Sequence, residues 1–418
     1  MAITRPRGTG DILPGDIYKW HYVEDAFRKI CREYKYEEIR TPIFEHTELF
    51  ERGVGDTTDI VEKEMYTFLD RGGRSITLRP ENTAAAARAY MESSLIAGPQ
   101  PVKLYYIGPM FRYDRPQAGR FRQFHQFGVE VFGANDPGID AEVIAMTMNF
   151  YGRLGLKELE LRINSVGCPK CRSVLREKLL EFFRPSLDQL CDNCKGRYQR
   201  NPLRILDCKS ARCGELAAGA PTTLKCLCGS CAEHFEAVKK YLELLNIPYI
   251  VDSSMVRGLD YYTNTAFEIM APDIGAQSSI GGGGRYNGLV EACGGPSTPG
   301  IGYALGIERI ILTMERQGIA FPPPFTVDVF VAAAGSQAEE EALRLLFELR
   351  KNGISAEKDY MKRSLKAQMK YAGKLNPRYT VLLGGDELDR GVAGLKDMSS
   401  GIQEEVPLNS LVERIKRR

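Results

Sequence analysis

The sequence predicts an α+β protein with a large N-terminal domain, a cysteine-rich helical insertion and a smaller C-terminal α/β domain. Residues 108–133 predict two strands joined by a loop, because aromatic and β-branched residues flank the Pro/Gly segment DRPQAGR. Nine of the eleven cysteines lie between Cys168 and Cys231, among segments with helical periodicity. Beyond the segment FPPPF the pattern alternates β-α-β-α-β, which is typical of a small α/β domain. The predicted bounds are 1–320 for the first domain, about 168–245 for its insertion, 321–325 for a linker and 326–418 for the last domain.

Length and composition are those of a globular protein of two or three domains. The chain has 418 residues, of which 43% are hydrophobic and 26% are charged. Its formal net charge is only +2, so any contact with nucleic acid must rest on local basic patches. The N-terminus carries no apolar signal segment, and no run of residues approaches the length of a membrane span. We therefore expect a cytoplasmic protein whose cysteines are thiols or metal ligands and not disulfides.

The first elements predict a helix and then a strand at an edge or an interface. Residues 17–34 repeat apolar side chains at helical spacing. The apolar stripe consists of Trp20, Val23, Phe27 and Ile30. The strand YEEIRTPIFEH contains Pro42, which cannot donate a hydrogen bond within a central ladder. This strand is therefore expected at a sheet edge or in a subunit interface.

The segment LRPENTAAAARAY, residues 78–90, predicts an Arg-Pro turn that opens an alanine-rich helix. Glu81 and Thr83 fall at the start of this helix. A carboxylate and a hydroxyl at that position often only cap free amide groups. The pattern alone therefore leaves structural capping and ligand binding both open.

The return strand of the hairpin has two chemically different faces. The face expected in the core carries His125, Phe127, Val129 and Val131. The other face carries Phe124, Gln126, Gly128 and Glu130. This second face is either exposed to solvent or forms the floor of a pocket for a cationic, hydrogen-bonding ligand. Arginines suited to phosphate lie beside it: Arg112, Arg115, Arg120 and Arg122. The combination predicts a site that holds a nucleotide and an amino acid together.

The cysteine-rich segment leaves two interpretations open. It contains the knuckles CPKC and CDNC, the cluster CLCGSC, and the single residues Cys208 and Cys213. Paired CxxC knuckles are typical of zinc sites, because two thiolates from one tight turn supply half a tetrahedron. The alternative is a helical insertion whose thiols are reduced and partly buried. Because the segment matches no catalytic motif, we expect it to take no part in the chemistry.

Two later segments and one helix complete the pattern. VRGLDYYTNTAFEIMAP, residues 256–272, predicts a turn followed by a strand, and four consecutive glycines at 281–284 allow close approach of the backbone to a ligand. PGIGYALGIERIIL, residues 299–312, predicts a glycine-rich strand running into a helix that carries Arg309. In the last domain, lysines repeat at i+4 on a predicted helix, a face that is either simply solvated or a track for phosphates. These lysines are Lys362, Lys366, Lys370 and Lys374.

Taken together, these motifs resemble the class II aminoacyl-tRNA synthetases, and the stretches GPMFRYDRPQAGRFRQFHQFG and RGLDYYT resemble histidyl-tRNA synthetases specifically. The resemblance covers essentially the whole chain. It implies a catalytic domain on a mixed, mainly antiparallel sheet, a helical insertion and a C-terminal anticodon-binding domain. The first helix and the Pro42 strand would then lie at a homodimer interface.

The resemblance also implies roles for individual residues. Catalysis would depend on Arg257, which reaches the α-phosphate, together with Arg112 and Gln126. Histidine would be bound by Glu81, Thr83, Gln126, Glu130, Tyr261, Tyr262 and Tyr286. ATP would be bound by Arg112, Phe124, Arg257 and Arg309. Asn82 stands where the family more often has glycine, which leaves both neighbouring contact residues in place.

The implied activity is that of a histidine–tRNA ligase, which forms histidyl-adenylate from histidine and ATP and transfers histidine to tRNA(His). Mg²⁺ would accompany the phosphates, and no protein side chains are assigned as metal ligands in the site. Two rivals are a non-catalytic histidine sensor and a synthetase for another amino acid. Retention of the C-terminal domain and of the arginines argues against the first, and RGLDYY with GGGGRY argues against the second.

Overall fold

The computed structural model describes residues 2–55, 58–117, 119–206, 208, 210–255, 259–272, 278–324 and 326–417. The chain forms two compact units, residues 1–322 and 323–418. No helix within the described ranges is long and apolar enough to cross a membrane.

The first unit contains ten α-helices and eleven strands among its described residues, besides short 3-10 and π-helical turns. The helices are α1 (Ile17–Glu33), α2 (Thr47–Val54), α3 (Thr83–Glu92), α4 (Pro137–Arg153), α5 (Pro169–Phe183), α6 (Asp192–Arg200), α7 (Ala211–Ala217), α8 (Gly229–Leu244), α9 (Leu289–Ala292) and α10 (Ile307–Arg316). The strands are β1 (Glu37–Glu38), β2 (Phe44–His46), β3 (Tyr66–Leu69), β4 (Ser75–Leu78), β5 (Val102–Phe111), β6 (Gln123–Phe132), β7 (Glu160–Ser165), β8 (Ile250–Val251), β9 (Thr263–Met270), β10 (Ser279–Arg285) and β11 (Gly300–Gly306).

Most of these strands form one sheet in the order β1-β5-β6-β11-β10-β9-β7-β8. The pairs from β5 through to β7 are antiparallel, whereas the outer strands β1 and β8 pair in parallel. The predicted mixed, mainly antiparallel sheet is confirmed. A second, three-stranded sheet has the order β2-β4-β3.

The predicted first helix is confirmed as α1, and its stripe packs on one face of β6. Phe27 stacks on Phe127 with ring centroids 4.3 Å apart, and Phe150 of α4 meets both rings edge-on. Val129 and Val131 are fully buried in the same core. This packing fixes which side of β6 faces away from the core.

His125 departs from its predicted core position. Its ring packs edge-on against Trp20 at 5.0 Å, but its side chain keeps 26% exposure and faces Glu308. The Glu308 carboxylate accepts a hydrogen bond from the His125 backbone N–H at 2.9 Å, and it also lies 3.0 Å from Nδ1 of the His125 ring. His125 lies near the loop that joins β5 to β6, where the strand face contacts Glu308 of α10 as well as Trp20 of α1.

The predicted single strand around Pro42 is two short strands. Proline at position 42 lies between β1, at the edge of the large sheet, and β2, in the small one. Since proline cannot donate to a ladder, the chain changes sheets at this residue. The prediction of an edge strand holds for β1, and the prediction of one continuous strand is wrong.

The second unit is a five-stranded sheet with helices. Its elements are β12 (Val329–Ala333), α11 (Ser336–Lys351), β13 (Ala356–Lys358), α12 (Leu365–Leu375), β14 (Tyr379–Leu383), α13 (Gly385–Asp389), β15 (Val392–Asp397), β16 (Gln403–Pro407) and α14 (Leu411–Lys416). The predicted β-α-β-α-β pattern is the parallel part, β13-β12-β14, and two antiparallel strands continue the sheet. Three of the four predicted lysines lie on α12, but Lys362 precedes the helix, in irregular backbone with a positive φ of 52°.

Candidate active site

Two adjoining cavities of the first unit lie over the end of β6 that carries Phe124 and Gln126. The first, of about 380 Å³, is lined by Ile60, Glu81, Thr83, Arg112, Gln126, Leu259, Tyr261, Tyr262, Glu268, Gly282, Tyr286, Gly302, Tyr303 and Ala304. The second, of about 280 Å³, is lined by Arg112, Asp114, Gly119, Arg120, Phe121, Phe124, Gln126, Ser279, Ile280, Gly281, Gly282, Ala304, Gly306, Glu308 and Arg309. We call them the tyrosine cavity and the arginine cavity. Four residues line both: Arg112, Gln126, Gly282 and Ala304.

Glu81 both caps α3 and lines the tyrosine cavity. Its carboxylate accepts the backbone N–H groups of Thr83, at 2.7 Å, and Ala84, at 2.9 Å. Burial raises the pKa of Glu81, and these amide hydrogen bonds lower it in part. The two interpretations of this sequence segment are therefore compatible, since capping holds the carboxylate at the cavity wall.

A buried carboxyl lies behind the wall of the tyrosine cavity. Glu130 is 1% exposed and accepts hydrogen bonds from the hydroxyls of Tyr286, on Oε2, and Tyr106, on Oε1 at 3.2 Å. Burial raises the pKa of Glu130 to about 8, although the tyrosine hydroxyls favour the ionised form. Tyr286 lines the cavity whereas Glu130 does not, so this carboxyl reaches the cavity through the Tyr286 hydroxyl.

Glycines in the neighbouring strands make room for this pair. A Cβ at Gly302 would come within 2.1 Å of Glu130 Oε2, and one at Gly300 would come within 2.3 Å of the Tyr286 ring. In the glycine run, a Cβ at Gly283 would meet the carbonyl oxygen of Gly302 at 2.0 Å. Gly282 alone of the run lines both cavities, so only part of the run faces a ligand and the rest packs against β11.

Gln126 has a buried acceptor without a partner. Its Oε1 atom makes no hydrogen bond with any residue in the described part of the chain. A buried carbonyl without a donor is costly, so an N–H group from a ligand would be favoured at this position. The side chain lies where the two cavities meet.

Cationic side chains dominate the arginine cavity. Arg112 donates to the carbonyl of Pro80 at 2.8 Å and lies over the Phe124 ring at 5.3 Å. Arg309 donates to the carbonyls of Gly119, at 3.1 Å, and Ser279, at 2.6 Å. Burial lowers the pKa of Arg112, and burial followed by repulsion from Arg120 and Arg112 lowers the pKa of Arg309. Guanidinium groups stay charged at neutral pH, so this cavity is suited to a phosphorylated ligand.

The structure brings together most of the predicted site residues but not all of them. Arg257 lies outside the described residues. Arg115 and Arg122 line neither cavity: Arg115 is exposed, and Arg122 stacks on Tyr113 at 3.8 Å. Tyr261 and Tyr262 both line the tyrosine cavity, with their ring centroids 4.9 Å apart.

Sequence reasoning missed a buried ion pair whose residues line neither cavity. Arg285, which is fully buried, donates to Asp140 at 3.0 Å, and Asp140 also accepts from Thr265 at 2.6 Å. His234 of α8 contacts the same carboxylate at 2.8 Å. The RYNG motif following the glycine run was the available signal, because an arginine in a strand with buried neighbours needs a carboxylate partner.

Comparisons with known proteins place the whole chain in one family. The family model described as Histidyl-tRNA synthetase matches residues 8–181 and 185–310, and the model described as Anticodon binding domain matches residues 328–418. A histidine–tRNA ligase of Desulforamulus reducens is 68% identical over 418 residues, with 100% of each chain covered. One of Pelotomaculum thermopropionicum is 67% identical over 418 residues, covering 100% of this chain and 98% of the relative. The crystal structure of apo histidyl-tRNA synthetase from S. aureus superposes with a TM-score of 0.85 at 45% identity, over 99% of this chain and 100% of the other. The chain therefore belongs to the histidyl-tRNA synthetase family of class II aminoacyl-tRNA synthetases.

Proposed function

We propose that the tyrosine cavity binds L-histidine, that the arginine cavity binds ATP, and that the chain joins the two as a histidine–tRNA ligase. The observation that carries this proposal is that both cavities share Arg112 and Gln126. Two ligands held in adjoining cavities with one shared wall meet there, and such positioning can lower a barrier by about 7–11 kcal/mol.

Histidine fits the tyrosine cavity by its charges and its ring. Glu81 offers an anionic oxygen and Thr83 a hydroxyl for the ammonium group, and Gln126 offers its unpartnered Oε1. Tyr261 and Tyr262 supply aromatic walls. The Tyr286 hydroxyl, backed by Glu130, is the polar group for an imidazole nitrogen.

The arginine cavity fits ATP. Phe124 offers a ring face for adenine, and Arg309 and Arg112 offer cations for adenine and phosphate. In the first step a histidine carboxylate oxygen attacks the α-phosphorus, the bond to the β-phosphate oxygen breaks, and pyrophosphate leaves. Arg112, on the shared wall, offsets the charge that grows on the α-phosphate. From the family resemblance of RGLDYY, we assign Arg257 to the same phosphate.

Class II synthetases use ATP with Mg²⁺. The described carboxylates of the arginine cavity are already engaged, Asp114 by Arg120 and Glu308 by His125. We therefore expect phosphate oxygens and water to hold the ion, with little coordination by this chain. Magnesium would neutralise phosphate charge, and the arginines would orient the α-phosphate.

Transfer to tRNA is assigned to the same site with help from the second unit. The 3′-terminal ribose hydroxyl attacks the acyl carbon of histidyl-adenylate and AMP leaves. Lys366, Lys370 and Lys374 are exposed on α12 and form no ion pair with a described residue, so they are available to phosphates of the RNA. Because its RNA partner is a transfer RNA used in protein synthesis, we propose that the protein acts in the cytoplasm.

We further propose that the first unit forms a homodimer. On the small sheet, Phe44, Phe68 and Leu69 are 56%, 49% and 70% exposed, and Ile43 adjoins them at 44%. Several exposed large apolar side chains on one small sheet favour an interface, and they follow the Pro42 segment that the family resemblance assigns to dimerisation.

The test is amino-acid-dependent pyrophosphate exchange across all twenty amino acids, followed by charging of tRNA. A histidine–tRNA ligase exchanges pyrophosphate with histidine alone and charges tRNA(His). A histidine sensor would show neither activity. A synthetase for another amino acid would exchange pyrophosphate with that amino acid.

A further inference from the structure

The insertion brings eight of its nine cysteines together in two groups of four. The basal group consists of Cys168, Cys171, Cys228 and Cys231. The distal group consists of Cys191, Cys194, Cys208 and Cys213. Within each group all four sulfurs lie within 4.8 Å of one another. The ninth cysteine, Cys226, belongs to neither group although only one residue separates it from Cys228.

The sulfur–sulfur distances have the geometry of metal sites. The Sγ atoms of Cys168 and Cys171 are 3.6 Å apart, those of Cys168 and Cys228 are 3.9 Å apart, and those of Cys191 and Cys208 are 3.8 Å apart. A zinc ion with four sulfurs at about 2.3 Å places neighbouring sulfurs about 3.8 Å apart, the edge of a tetrahedron. A disulfide needs about 2.05 Å, so these spacings suit a single ion and not oxidised pairs.

Local structure prepares both groups for thiolates. Cys168, Cys228 and Cys191 occupy the N-cap positions of α5, α8 and α6, where the helix dipole favours negative charge. The backbone N–H of Cys228 donates to Cys171 Sγ at 3.1 Å. The backbone N–H of Cys191 donates to Cys213 Sγ at 3.3 Å. In each group two cysteines are buried and two are half-buried, so an ion would be largely shielded from water.

We propose that the insertion holds two structural zinc ions, one in each group of four cysteines. Four thiolates in a tetrahedron favour zinc, and a site with four protein ligands is structural because it leaves no open position for a substrate. The four thiols are also too close together for a multi-iron cluster, whose irons would lie between them. Each ion would take four thiolates and release their protons.

The two ions have different structural tasks. The basal group joins the starts of α5 and α8, which are 60 residues apart in sequence, and so closes the insertion where it leaves the large sheet. Next to it, Arg172 donates to the backbone carbonyl of Asp260 at 2.9 Å, directly before Tyr261 of the tyrosine cavity. The Cys231 thiol contacts Asn264 Oδ1 at 3.2 Å, at the start of β9. The distal group lies entirely within the insertion, between α6 and α7.

Elemental analysis and native mass spectrometry of the full chain, purified under reducing conditions and with chelator-washed buffers, test the proposal without any variant. We expect two zinc ions per chain. Cobalt substitution should give the intense sulfur-to-cobalt charge-transfer absorption of two tetrathiolate sites. A chain that contains no zinc, and binds none after reconstitution with zinc alone, would overturn the proposal, as would stoichiometric iron in place of zinc.

Paired variants then test the assignment of ligands. C168S/C171S and C191S/C194S should each lower the zinc content to one ion per chain, while the matched control C226S keeps two. Hydrogen exchange separates the tasks: the first variant should speed exchange at the starts of α5, α8 and β9, and the second only in α6 and α7. Loss of zinc from C226S equal to that of a paired variant would show that the groups are wrongly assigned.

Discussion

Replacement of Tyr286 by Phe should weaken histidine binding while leaving ATP binding almost unchanged. The hydroxyl lines the tyrosine cavity and donates to Glu130, a buried carboxyl that Tyr106 also contacts at 3.2 Å. Removing a buried hydroxyl that pairs with the ligand leaves a polar group of the ligand unsatisfied, which costs about 1–3 kcal/mol, or roughly a 5- to 150-fold loss of affinity. We predict an increase of that size in the Kd for histidine, measured by calorimetry, and a KM for ATP within about twofold of the original.

The matched control is Tyr106→Phe. It removes a hydroxyl from the same carboxyl, but Tyr106 does not line the cavity. We expect it to lower the melting temperature while changing histidine affinity less than about fivefold, because its hydroxyl supports Glu130 and not the ligand. Equal losses of histidine affinity in the two variants would refute the argument that the Tyr286 hydroxyl contacts the ligand directly.

Three further predictions concern the carboxyl, the shared arginine and the lysines. Burial raises the folded-state pKa of Glu130 to about 8, so between about pH 4.5 and pH 8 the folded chain holds a proton that the unfolded chain has lost. The free energy of unfolding should therefore fall as the pH rises through this range, by at most about 1.4 kcal/mol per pH unit for this group. Glu130→Gln should flatten this pH dependence, measured by chemical denaturation. A dependence unchanged in the variant would show that Glu130 is ionised throughout. Arg112→Gln should lower kcat for pyrophosphate exchange by about 10²–10³, whereas Arg122→Gln, outside both cavities, should keep it within a few-fold; equal effects would remove Arg112 from the catalytic residues. The triple substitution of Lys366, Lys370 and Lys374 by Gln should raise the KM for tRNA, lower the slope of log affinity for tRNA against log salt concentration by about 2–3, and preserve pyrophosphate exchange. The control Arg344→Gln, on α11, should change neither the KM for tRNA nor this slope. An unchanged slope in the triple variant would contradict the phosphate-track interpretation.

Period-2 and period-3.6 patterns predicted the elements that carry the site. The alternation on β6 separates Phe127, Val129 and Val131 from Gln126 and Glu130, and the structure buries the first set under α1 and α4. The alternation is informative here because α1 and α4 cover one face of the strand with apolar side chains. A shift of the strand register by one residue would turn Gln126 and Glu130 toward these helices.

Other features depend on contacts between distant segments and leave no local trace. The position of Glu130 behind Tyr286 rests on Gly300 and Gly302, whose missing side chains provide the space. The alternation places His125 on the core face, yet in the structure it pairs with Glu308, which lies 183 residues later in the chain. The knuckle CLCGSC offers three cysteines, and only the folded insertion selects Cys228 and Cys231 over Cys226.

The C-terminal sheet shows the same limit in a simpler form. The strands β12 and β14 are continuous apolar runs and were predicted, whereas β16 is QEEVP, a polar edge strand with one buried residue, and was missed. Its pairing with β15 comes from the turn between them and not from apolar periodicity. An edge strand of this composition resists pairing with other chains, which is why it lacks the predictive pattern.

The central claim is that two adjoining cavities hold histidine and ATP at once, with Arg112 and Gln126 between them. Calorimetry of the full chain with a non-hydrolysable histidyl-adenylate analogue tests it most directly, compared with histidine and with AMP measured separately. Joining the two ligands makes the second contact intramolecular, so we predict that the analogue binds at least about 10²-fold more tightly than either half, and that Arg112→Gln removes most of this gain. If the analogue binds no more tightly than the tighter of histidine and AMP, the account is contradicted, because the two cavities would then not be occupied together.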